Sequence, residues 1–106
     1  MKAKPLKSGA GGYVPCKPDE ATHVELHMPG PFPTRILPVM ISGKRAGTPN
    51  WTWNGDIELP SLMPSIRTRG ESDSLCHSWV RDGTVQFLAD STHELAGQTV
   101  DLLEVE

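Results

Sequence analysis

A mainly β protein is what the sequence predicts: a small antiparallel sheet or sandwich of about six short strands with one short helical turn. Three observations predict it. Apolar and polar residues alternate with period two in several short runs, as strands with one buried face require. Asp-Gly and Asn-Gly pairs stand between such runs, where tight hairpin turns demand residues that tolerate positive φ. Ten Gly and ten Pro in 106 residues disfavour long helices, because inside one Pro costs ~3 kcal/mol and Gly ~1 kcal/mol. A chain of this length builds one domain.

The first element is a tail. Residues 1–20 mix Lys, Gly and Pro with few apolar side chains, too little to repay ordering by burial. A flexible basic arm is therefore expected, with Tyr13 and Val14 as anchors, followed by one compact β-rich domain over 21–106.

Within that domain, residues 22–28 alternate, with His23, Glu25 and His27 on one face and Val24, Leu26 and Met28 on the other. Pro29-Gly30-Pro31-Phe32-Pro33 ends this strand with a rigid turn. Residues 35–41 form the next strand, and Pro38, lacking an N–H, places it at an edge or in a bulge. A Gly-Lys-Arg loop over 42–50 follows. Trp51-Thr52-Trp53 is a short strand with both indoles on one face, closed by a tight Asn54-Gly55 hairpin.

Residues 65–69 read as a strand and 70–74 as a polar loop. Around Asp82-Gly83, a two-residue turn pairs Arg81 with Thr84, Val80 with Val85, Trp79 with Gln86 and Ser78 with Phe87. Val80, Val85, Phe87 and Cys76 then face the core, while Trp79, Gln86, His77 and Leu88 lie opposite. Ser91-Thr92-His93-Glu94 fits a capping box opening one helical turn that Gly97 closes. Residues 98–103 return as a final strand.

Net charge is −3 and unevenly placed: residues 1–53 carry +4 and residues 54–106 carry −7. The acidic balance argues against nucleic acid as partner. No run approaches the ~20 apolar residues of a membrane helix, nor is there a signal-peptide core, so a soluble protein of the cytoplasm is expected. Two cysteines without an export signal are expected as free thiols.

Three chemistries are open. His77, Asp90 and His93 make a polar cluster beside the hairpin. Cys76 with His93 and Asp90 supplies the residue types of a thiol hydrolase, although the hairpin register buries Cys76. Metal binding draws on Cys76, His93, His77 and Asp90, but no Cys-x-x-Cys pair is present, and none is expected to bind; zinc would suit such ligands. No nucleophile elbow or phosphate loop occurs. An exposed face of Trp79, His77 and Gln86, with Trp51 and Trp53 near it, has the composition of a binding surface. At least one of Trp51 and Trp53 is expected in the core, and Trp79 at least partly exposed.

Trp51-Thr52-Trp53-Asn54-Gly55, Pro64-Ser65-Ile66, the run from Cys76-His77 to Asp82-Gly83, and Asp90-Ser91-Thr92-His93-Glu94-Leu95-Ala96-Gly97-Gln98-Thr99 resemble an uncharacterised family of small bacteriophage and prophage proteins. The resemblance spans roughly residues 22–103. It implies phage origin and no defined activity. It also implies a zinc site built from two early thiolates with a later Cys and His; here Met28 and Pro31 stand where the thiolates belong, while Cys76 and His93 remain. The sequence therefore leads to an expected phage or prophage accessory protein that works by contact with a host or phage protein.

Overall fold

The computed structural model describes residues 1–41 and 50–106. Among the described residues, ten strands form two sheets around one core. They are β1 (Lys4–Gly9), β2 (Gly12–Pro15), β3 (His23–His27), β4 (Thr34–Met40), β5 (Trp51–Trp53), β6 (Leu62–Met63), β7 (Ile66–Arg69), β8 (Leu75–Arg81), β9 (Thr84–Phe87) and β10 (Thr99–Asp101). The first sheet runs β2-β1-β3-β4-β5-β6 and the second β10-β9-β8-β7. The mainly β expectation matches this architecture, with more strands than the six foreseen. No helix among the described residues is long and apolar enough to cross a membrane.

Alternation decides which faces meet. Val24 and Leu26 of β3, Leu37 and Val39 of β4, Trp53 of β5 and Leu62 of β6 bury their side chains from the first sheet. Ile66, Cys76, Val80, Val85 and Phe87 do so from the second. The β8–β9 hairpin pairs in the expected register, Arg81 with Thr84 through Ser78 with Phe87. Asp82 (φ +48°) and Gly83 (φ +77°) both take positive φ, the requirement of a type I′ turn. After β10 the chain stitches the sheets together: the Leu102 N–H donates to Gly83 O and the Leu103 N–H to His27 O.

Several expectations are corrected. The arm over residues 1–20 is a β-hairpin, in which β1 pairs with both β2 and β3 and buries Ala3, Pro5 and Leu6. Gly11 (φ +80°) turns it, so glycines counted as disorder serve the turn. Strand β4 is internal rather than an edge, and its neighbour β5 is parallel to it. Pro38 is accommodated because the pairing with β5 begins only after it, at Val39 and Met40, while residues 34–38 pair with β3. Asn54-Gly55 does not close a tight hairpin. Trp53 pairs with Leu62 instead, across a wider loop in which Asp56 accepts from the Glu58 and Leu59 N–H groups. Those two bonds hold the Asp56 carboxyl below the usual carboxylate range.

The helical turn after Ser91 is absent; residues 93–97 form only a bend and turns. The Ser91 hydroxyl cannot cap a helix because the backbone of His77 engages it. The Gly-Lys-Arg loop lies, apart from Asn50, outside the described residues.

Candidate active site

The β7–β8 ladder sets the geometry. Ile66 pairs with Ser78 and Arg67 with His77. One step further along this register, Ser65 lies across from Trp79 and diagonal to His77. Because side chains alternate, Ser65, Arg67 and Arg69 share the outer face with Leu75, His77, Trp79 and Arg81. Ile66, Cys76, Ser78 and Val80 fill the buried one.

On that outer face His77 stands between a hydroxyl and a carboxylate. Ser65 Oγ lies 2.9 Å from His77 Nε2. His77 Nδ1 lies 3.1 and 3.0 Å from the two oxygens of Asp90. An ionised carboxylate only accepts hydrogen bonds. The ring proton therefore sits on Nδ1, and the Nε2 lone pair is left to accept from the Ser65 hydroxyl. The His77 side chain is 17% exposed and Asp90 48%, so the imidazole is sheltered while its carboxylate partner touches water.

Each member is fixed by its own supports. Trp51 Nε1 donates to Ser65 O at 3.3 Å, pinning the backbone that carries the hydroxyl. Past β9, residues 88–92 are strapped along β8. The Leu88 N–H donates to His77 O at 2.8 Å. Ser91 Oγ accepts from the His77 N–H at 3.0 Å and donates to His77 O at 3.1 Å. The Leu75 N–H donates to Thr92 Oγ1 at 2.8 Å. Asp90 lies inside this strap, which holds it opposite Nδ1. A cavity of about 210 Å³ adjoins the line, walled by Thr52, Met63, Pro64 and Trp79.

The family model for the bacterial ubiquitination-like system serine protease (BubE) matches residues 35–88, half of the chain. The chain belongs to the BubE family. Ser65 and His77 lie inside the matched segment, and Asp90 falls just past its end. No curated protein and no solved structure matches. The expectation of a phage-encoded viral accessory protein acting by protein contact is overturned by the BubE match, which places the chain with bacterial serine proteases.

The sequence-derived candidates divide sharply. His77 and Asp90 pair as the hairpin register implies. Cys76 lies on the opposite, buried face of β8, so the Cys76–His93–Asp90 constellation is not assembled. His93 turns elsewhere: its Nδ1 accepts from the Leu95 N–H, and its ring meets Phe87 edge-on at 4.8 Å. Of the zinc set implied by the resemblance, the two early thiolates are replaced by Met28 and Pro31, and Cys76 points into the core.

Of the aromatic set, Trp53 is fully buried and cannot belong to a binding surface. Trp51 is half-buried beneath Ser65. Trp79 and Gln86 pair on the outer face, with the Arg81 guanidinium 4.5 Å from the Trp79 ring centre. Sequence pattern alone does not single out Ser65, which lacks the glycines of a nucleophile elbow. The signal that exposes it is the β7–β8 register, which needs residues 65–69 folded back across the loop 70–74.

Proposed function

We propose that this protein is a serine protease of a ubiquitination-like system, with Ser65 as nucleophile, His77 as general base and acid, and Asp90 as the residue that orients His77. The observation that carries the reading is the continuous line from Ser65 Oγ through His77 Nε2 and Nδ1 to Asp90, with steps of 2.9 and 3.0 Å. That is the constellation by which a weakly nucleophilic hydroxyl is activated. The BubE match supports it independently.

In this reading Ser65 Oγ attacks the carbonyl carbon of the scissile bond while its proton passes to His77 Nε2. The imidazolium so formed is stabilised by Asp90. It gives the same proton to the departing amine as the C–N bond breaks, leaving an acyl ester on Ser65. Water, deprotonated by His77, then attacks that ester, releasing the acid and restoring the hydroxyl. Among the described residues no acceptor takes the Ser65 backbone N–H, so this donor is the candidate for the oxyanion that develops on the carbonyl.

An inhibitor profile tests the assignment. Hydrolysis of a mixture of fluorescence-quenched peptides by the wild-type chain is expected to survive a chelator and iodoacetamide and to be lost to a fluorophosphonate. Iodoacetamide spares it because burial pushes the Cys76 thiol above its ordinary range, more than Arg35 lowers it. The unreactive thiol form thus persists through neutral pH. Loss of activity on alkylation, with fluorophosphonate harmless, would move the chemistry to a cysteine.

A further inference from the structure

We infer that the segment cleaved is acidic and places an apolar side chain beside the scissile bond; this rests on the serine protease reading above and names its substrate class. The cavity between Met63, Pro64, Trp79 and Thr52 has a volume of about 210 Å³. Pro64 directly precedes Ser65, and Trp79 follows His77 by two residues on the same face, so whatever enters the cavity adjoins the reacting carbonyl. Among the described residues its walls carry no charge, and Thr52 supplies a side-chain hydroxyl. Met63 is 64% exposed, a flexible thioether that adapts to an apolar guest. A charged guest would lose part of its hydration against these walls, and none of the four carries a counter-ion.

Arginines gather on the face beside the cavity. The second half of the chain carries −7, yet its three cations, Arg67, Arg69 and Arg81, all stand on the outer face that bears the triad. All three are exposed. Arg67 is directly across from His77 and Arg69 across from Leu75. Neither forms an ion pair or side-chain hydrogen bond among the described residues, while Arg81 lies on the Trp79 ring. Among the described residues no acid forms an ion pair with any of the three. Asp90 is bound to His77 and Asp82 is within 3.5 Å of Ser61. Asp101 lies on β10, two strands from β8, and Glu71 and Asp73 sit in the loop beyond Arg69. Unpaired cations flanking a nucleophile attract an acidic chain and repel a basic one.

A matrix of quenched peptides separates the two parts of the claim. One position carries Leu, Asp or Lys beside the scissile bond, and the flanks are Glu-rich or Lys-rich. The wild-type chain is expected to cleave the Leu peptide with Glu flanks at least about tenfold faster, in kcat/KM, than any peptide with Asp or Lys at that position. Lys flanks should lower the rate several-fold, and the gap should narrow as salt rises. The double variant Arg67→Glu, Arg69→Glu should invert the flank preference while its thermal unfolding stays two-state. Equal rates for Leu and charged residues, or flanks that make no difference, would overturn the inference. Fluorophosphonate labelling of the same preparation tells the failures apart. Labelled Ser65 with an indifferent matrix sinks this inference alone. Unlabelled Ser65 with no peptide cleaved sinks the protease reading and this inference with it.

Discussion

Replacing Ser65 by Ala lowers kcat for peptide hydrolysis by about 10⁴–10⁶-fold, because the nucleophile of such a triad cannot be spared. Asp90→Asn is expected to cost about 10³–10⁴-fold. The amide leaves His77 in place but no longer fixes the proton on Nδ1, so Nε2 is not reserved as the base. Asp90 is half exposed, and water screens its attraction to the imidazolium; orientation is therefore its larger contribution. Both variants should fold, since Ser65 gives up one hydrogen bond worth about 1 kcal/mol. Steady-state kinetics beside circular dichroism decides the matter. Stability falling while hydrolysis continues at the wild-type rate would reduce Ser65, His77 and Asp90 to a structural hydrogen-bond network.

Trp53→Ala carries the largest expected loss of stability. The indole is fully buried between the sheets, and its Nε1 donates to Asp56 O at 3.3 Å. Truncating a large aromatic in a core costs about 3–5 kcal/mol, against about 5–15 kcal/mol of total stability for a domain. For a chain of this length that lowers the melting temperature by roughly 12–40 °C. The site should loosen with it: Trp53 pairs with Leu62, and the neighbouring pair Thr52–Met63 walls the cavity beside Ser65. Chemical denaturation checks the value, and a loss below about 1 kcal/mol would mean that the core is not assembled around this ring.

The legible and illegible parts of the molecule separate along physical lines. Asp82-Gly83 states a turn type, the turn type fixes a register, and the register assigns faces. His77 opposite Cys76 across β8 could be read from this, as could the pairing of Trp79 with Gln86. Asp90 close to His77 followed from the same hairpin. The first hairpin was illegible because its residues are those of a disordered tail. Ala3, Pro5 and Leu6 become core only once β3 lies alongside. Ser91 and Thr92 looked like the start of a helix because hydroxyls bond local backbone in several ways, and here the backbone of β8 competes successfully. Ser65 was missed for a related reason. Its partner His77 is twelve residues away, across a loop whose sequence specifies no turn type, so nothing local announces that the two side chains meet.

Covalent labelling tests the triad most directly. The wild-type chain is incubated with a fluorophosphonate, digested and mapped by mass spectrometry. One adduct on Ser65 is expected, absent from His77→Ala and strongly reduced in Asp90→Asn, with Ser78 unmodified because its side chain is buried. A wild-type chain that stays unmodified under conditions that label a control serine protease, or an adduct at a serine other than Ser65, would contradict the assignment.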